Sequence, residues 1–213
     1  MPLVSEGVLL FAFKYFILSN ILVAIGIYVD RWAAKTIKGD NLAFVDTLVH
    51  FALGSVSWCM VICKESFVRN YRLYKELFLC GCLSSFIDID HFLVAKSFRL
   101  RDALSLRQRP PLHCTSLLLS AILALVVLGN VLGKESARMG LLFLTSAYTH
   151  HFRDGLRRGL WIWPFGSTPP ITNLYYVICS LTFPLLFNVI LYSSEWKSWC
   201  GFGDRSIKSI NIV

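Results

Sequence analysis

Six apolar runs, at 8–29, 42–63, 73–94, 115–133, 139–156 and 174–193, occupy most of the 213-residue chain. Each comes close to the roughly 20 residues that a helix needs to cross hydrocarbon. In lipid the backbone has to satisfy its own hydrogen bonds, which makes helices of such runs. With 55% apolar residues and a mean hydropathy of +0.59, the chain is too apolar for an ordinary soluble domain. The pattern predicts an all-α, polytopic transmembrane helix bundle of five to six spans. It would be a single domain over 1–213, with the chemistry in 46–166 and a mobile tail at 197–213. The run at 139–156 is the weakest, because it ends in Thr149-His150-His151-Phe152-Arg153-Asp154. Pro110 and Pro111 cannot continue a helix, so the fourth helix is expected to begin after them, near Leu112.

The net charge of +8 comes from basic clusters between apolar runs. That is the placement of membrane loops facing anionic lipid, so the expected partner is membrane lipid and not nucleic acid. Seven cysteines without C-x-x-C spacing read as small apolar residues, neither a disulfide scaffold nor a thiolate zinc site. The first run lacks a basic leader and a small-residue cleavage site, and reads as a retained span.

Ionisable residues at the ends of apolar runs are costly and need a partner, a metal or water. Asp88-Ile89-Asp90-His91 closes the third run, Asp46 and His50 open the second, His113 precedes the fourth, and His150 with Asp154 closes the fifth. With six spans, the first, third and fifth connections share one membrane face, and all of these residues fall there. Asp46 and His50 are four apart, His150 and Asp154 four, Asp88 and His91 three, so each pair shares a helix face. By the same rule Asp90 and His151 point elsewhere if their helices stay regular. Carboxylates and imidazoles together suit a divalent ion, and H-x-x-x-D places two ligands one turn apart.

Plainer readings stand beside these. Asp154 can pair with Arg157 or Arg158 one turn on, and His50 can be satisfied by hydrogen bonding, with Asp46 orienting it. His151 reads as an interfacial polar residue, and Arg109 as either a loop arginine or a two-pronged clamp for phosphate or carboxylate. Trp161-Ile162-Trp163-Pro164-Phe165-Gly166 reads as an interfacial aromatic belt.

The order of these motifs resembles the LexA-binding, inner-membrane-associated hydrolase family of small polytopic proteins. That pattern has an early His in an apolar segment, then D-I-D-H, H-R-G-x-T-H-S, S/T-H-x-x-x-D and a W-P. Here His50, Asp88-Ile89-Asp90-His91, Thr149-His150-His151-Phe152-Arg153-Asp154 and Trp163-Pro164 match it. The third element departs: with His113 on the second family histidine, Gln108 takes the place of the first, Pro110 that of the glycine and Leu112 that of the threonine, while Arg109 is kept. H-x-x-x-D among further His and Asp is also similar to the helical zinc phospholipase C and P1 nuclease group, which implies phosphoester substrates.

The resemblance implies a metal-dependent hydrolase in the membrane. His50, Asp88, His91, His113, His150 and Asp154 would hold one or two divalent ions, zinc being expected. Asp90 would act as general base or bridging ligand, and Arg109 would hold substrate charge. The substrate would be a lipid phosphoester or another amphiphile. The alternative is a non-catalytic membrane protein that keeps the cluster as a structural metal site or salt-bridge core, and Gln108 and the paired prolines favour it.

Overall fold

The computed structural model describes residues 6–193, apart from the side chains of residues 125, 126, 128–132 and 134. The expected tail at 197–213 lies outside the described residues. The chain is an all-α membrane bundle. Helix α1 (Glu6–Val23) passes through a π-helical stretch (Ala24–Val29) directly into α2 (Asp30–Thr36). Next come α3 (Asp40–Val61), α4 (Tyr71–Phe86), α5 (Ile89–Ala95) and the short α6 (Leu100–Leu104). A 3-10 turn (Pro111–His113) leads to α7 (Thr115–Leu132), followed by α8 (Lys134–Arg158). A two-residue hairpin, β1 (Trp161–Ile162) with β2 (Gly166–Ser167), precedes α9 (Asn173–Leu191).

All six expected helices form, but the span count differs. Among the described residues four stretches are long and apolar enough to cross a membrane: Glu6–Thr36, Asp40–Val61, Tyr71–Ala95 and Asn173–Leu191. Helix α7 offers the shorter apolar stretch Thr115–Ala124. Helix α8 falls out of the set because its sequence carries too many polar and charged residues, and most of these are buried. It packs against α3, α4, α7 and α9, and Arg138, Thr145, Ser146, Thr149, His150, His151 and Arg153 are all buried on it. A helix this polar suits an apolar bilayer only when other helices shield it. Helix α1 is the converse: Leu9, Leu10, Phe13, Phe16, Ile17 and Ile21 stay exposed, as expected of a lipid-facing surface. The core proper lies between α3, α4, α8 and α9, around Trp58, Leu73, Leu141, Leu142, Tyr148 and Phe187.

Three local features aim residues at one end of this bundle. The π-helical stretch delivers Asp30 at the first turn of α2. The break between α4 and α5 falls on Ile87 and Asp88, where Asp90 N–H bonds Ile87 C=O (3.4 Å) and His91 N–H bonds Asp88 C=O (3.2 Å). These i→i+3 bonds tighten the turn and advance the side chains faster than an α-helix would. Finally, α8 stops at Gly159, whose φ of 69° favours glycine and where a Cβ would lie 1.8 Å from the Thr168 carbonyl oxygen.

Candidate metal centre

His150 sits on α8 with its ring fully buried. Its Nδ1 lies 2.8 Å from the carbonyl oxygen of Ser84 on α4. A carbonyl only accepts, so Nδ1 carries the proton and Nε2 keeps a free lone pair. That Nε2 lies 3.3 Å from Nε2 of His113, which the proline-led 3-10 turn brings in from the other side. Two nitrogens about 2.0–2.1 Å from one ion at the tetrahedral angle lie about 3.3 Å apart.

Two carboxylates complete the set. Asp88 Oδ1 is 3.2 Å from His113 Nε2 and 3.7 Å from His150 Nε2. Asp154 Oδ2 is 3.7 Å and 3.8 Å from the same two nitrogens. All four ligand atoms lie within 4.8 Å of one another. Two acids and two imidazoles, each imidazole anchored at its other nitrogen, are a donor set that fits zinc or another divalent ion.

His113 has such an anchor as well. Its Nδ1 lies 3.3 Å from Asp90 Oδ1, while Asp90 Oδ2 accepts a 2.7 Å hydrogen bond from the Leu112 N–H. Burial opposes charge on His113, but hydrogen bonds and charge from Asp88 and Asp90 outweigh it and lift the imidazole from 6.5 to about 9. Sequence spacing sends Asp90 away from the cluster. The tightened turn at Ile87–Asp88 instead brings Asp88 and Asp90 together onto His113.

The remaining predicted residues divide. His91 joins Asp90 and His113 in a second group of candidate ligands, with its Nδ1 3.3 Å from Asp90 Oδ1 and 3.3 Å from the Asp88 carbonyl oxygen. His50 joins a third, with Asp46 and Asp88, and its ring stacks on that of His150 at 4.0 Å. Its Nε2, however, accepts a 2.6 Å hydrogen bond from Arg153 Nη1. Arg109 is turned to the end of α8, where it donates to the carbonyl oxygens of Gly159 (3.1 Å) and Arg158. This position caps the helix terminus and is not the free clamp that the sequence invites.

The plainer pairing of Asp154 with Arg157 or Arg158 is not what forms. Arg157 bonds Asp30, and its Nη1 lies 2.8 Å from Asp46 Oδ1, while Asp154 faces His50, His113 and His150. His151 is buried, with its Nδ1 2.9 Å from the Thr115 hydroxyl. Trp163 and Phe165 of the hairpin stay exposed, as an aromatic belt requires.

Sequence reasoning missed Arg153 and Asp30. Arg153 is buried to 1% exposure, and its Nη2 donates to Asp30 Oδ1 at 2.6 Å and to Asp46 Oδ1. The one available signal was an arginine between two motif residues on a helix whose neighbours are buried.

Beside the cluster opens a cavity of about 560 Å³, a size that suits a small-molecule ligand. Asp88, His91 and Asp154 line its polar end, Arg157 and Arg158 its flank, and Phe44, Phe92, Phe98, Leu100 and Leu104 its walls.

Comparison with known proteins agrees with the membrane reading. The chain is 39% identical to Transmembrane protein 267 of Mus musculus over 152 residues, covering 70% of this chain and 69% of that protein. It is 38% identical to the Danio rerio protein of that name, covering 70% and 67%, and 37% to the Xenopus laevis one, covering 70% and 68%. No protein-family model matches the chain, so the likeness to the LexA-binding hydrolases rests on the motif residues alone. No solved structure matches it.

Proposed function

The chain belongs to the transmembrane protein 267 family, and from that premise we propose a multi-pass membrane protein that acts as a metal-dependent hydrolase on lipid phosphoesters. One divalent ion, zinc by the donor set, is held by Asp88, His113, His150 and Asp154. The observation that carries this is the 3.3 Å approach of two imidazole Nε2 atoms beside two carboxylates. Within that quartet the acids face imidazoles, and the nearby arginines bond Asp30 and Asp46 instead. In metal-free protein the protonated His113 imidazole faces both acids, and a divalent ion would take over that role.

When bound, the ion would supply Lewis-acid charge and a water acidified to a pKa of about 7. The chain's own residues do the rest. Ser84 and Asp90 fix the ring orientations of His150 and His113. His91, with Nδ1 against the Asp88 carbonyl and its side chain on the cavity lining, is the proton carrier, a role expected of Asp90 from the motif. The cavity's apolar walls suit an acyl chain, and Arg158 on its lining suits a phosphate, Arg157 being held by Asp30 and Asp46, which supports a lipid substrate over a soluble one. The motif order shared with the LexA-binding hydrolases supports the same reaction class.

The test is metal analysis of detergent-purified protein. About one zinc per chain is expected, lost in an Asp88→Ala/His150→Ala double variant; unchanged zinc in that variant would refute the placement. A second reading, a structural metal site without catalysis, is favoured by Gln108 at a family histidine position and by the commitment of Arg109 to the α8 terminus. A zinc-loaded protein inert on every phospholipid and phosphoester class would select it.

A further inference from the structure

Besides the quartet, Asp46, His50 and Asp88 place a second set of ligand atoms within 4.8 Å of one another. It shares Asp88 with the first set, as the sites of two-metal hydrolases about 3.5–4 Å apart share a bridging carboxylate. The space is already taken. Arg153 Nη1 donates to His50 Nε2 at 2.6 Å, and its Nη2 donates to Asp46 and to Asp30. Arg157 Nη1 adds a 2.8 Å contact to Asp46.

We propose that the Arg153 guanidinium stands in for a second metal ion between His50 and Asp46; since Asp90 in the remaining group is engaged by His113 Nδ1 and the Leu112 N–H, the centre holds one ion per chain. The inference rests on the quartet reading above. A guanidinium does not lose its proton in a protein, so the charge is permanent. Its hydrogen bond consumes the lone pair His50 would need as a ligand. Its other arm neutralises Asp46, which has no further need of a cation. Arg153 is thus a positioning residue. It removes His50 and Asp46 from the ligand set and hands their end of the cluster a fixed charge. That charge still reaches the quartet, because His50 Nε2 lies 3.4 Å from Asp154 Oδ1 and the His50 ring stacks on His150.

The experiment counts zinc per chain on the full-length protein in detergent after dialysis against buffered zinc. Wild type is expected to hold one zinc. Arg153→Ala, which frees His50 and leaves Asp46 only the partly exposed Arg157 that an ion would displace, is expected to hold two, and adding Asp46→Asn to that variant is expected to return the count to one. Two zinc ions in wild type, or one in a monodisperse Arg153→Ala protein with wild-type helix content, would overturn the proposal. Should Arg153→Ala not fold, manganese-loaded wild type decides by electron paramagnetic resonance. The six-line spectrum of an isolated ion supports the proposal, and the multi-line spectrum of a coupled pair refutes it. A wild type that takes up no zinc sinks the quartet reading itself, and this inference with it.

Discussion

Charged and ionisable groups are buried at both ends of the bundle formed by α3, α4 and α8, and the two ends resolve the charge differently. At the far end Arg138 of α8 is buried and lies over the ring of Trp58 at 5.8 Å. Its guanidinium donates to Glu76 at 2.9 Å and 2.7 Å and to Glu65 at 2.5 Å. Glu76 also accepts from Arg72 (2.8 Å) and from the Trp58 indole (3.1 Å). Donors and acceptors match, and the protein supplies both signs. At the near end the arginines stop at Asp30 and Asp46, and Asp88 and Asp154 are left with imidazoles. The first cluster is a closed ion pair that holds helices together. The second is a set of acceptors and lone pairs converging on one point, open to a cavity. Burial of charge alone does not separate a brace from a binding site; the balance of donors and acceptors does.

The largest effect is expected where that balance is broken at the far end. Arg138→Met strips Glu76 of its buried cation and leaves it only the half-exposed Arg72 as cation, which costs about 3 kcal/mol of stability. Thermal unfolding in detergent measures it, and zinc content should not change. The near end should respond more weakly. In metal-free protein, Asp154→Asn removes a carboxylate that only imidazoles contact directly, and should cost less stability than Arg138→Met. In zinc at 100 times the wild-type dissociation constant, the same variant should lose the roughly 2.7 kcal/mol that binding contributes. A metal-free Asp154→Asn protein as unstable as Arg138→Met would erase the distinction between the two ends. Smaller again is Asp90→Asn, which loosens His113 without deleting a ligand. Zinc affinity should fall about 10–100-fold with the stoichiometry still one, and a loss of all binding would make Asp90 a ligand after all.

Much of the near end was legible in the sequence because it depends on parity. Residues at alternate ends of successive apolar helices must share a face, and that alone brings His50, Asp88, His113, His150 and Asp154 together. What the sequence hid depends on backbone phase and on distant partners. Asp90 reaches His113 only because the α4–α5 junction tightens into i→i+3 bonds. Ser84 serves through its carbonyl, which no side-chain motif records. Asp30 and Arg153 are 123 positions apart and look like ordinary loop-side charges until α2 meets α8. Arg138 likewise reads as one basic residue near a helix end, and only tertiary packing turns it into a buried brace. The six helices were visible from apolar length, but the shielding of the polar α8 by its neighbours was not; by length and composition four stretches qualify as spans.

The smallest effect is a pH dependence that separates the ends again. His113 stands on the 3-10 turn outside the long apolar helices, and Asp88 and Asp90 hold its imidazole at about 9, above the ordinary 6.5. A raised value means the folded state favours the proton. In metal-free protein the stability from this pairing is full below about pH 6.5 and is lost as pH rises through about 9. Zinc and the proton compete for His113 Nε2, so zinc affinity should rise about tenfold per pH unit up to about pH 9 and then level off. Titrating zinc at pH 6.5, 7.5 and 8.5 with the same buffer capacity for the metal measures the slope. The Arg138–Glu76 end carries no histidine and should contribute no slope in this range. Equal affinity at all three values would mean that the proton and the ion do not share His113, and His113 would then be no ligand of the ion.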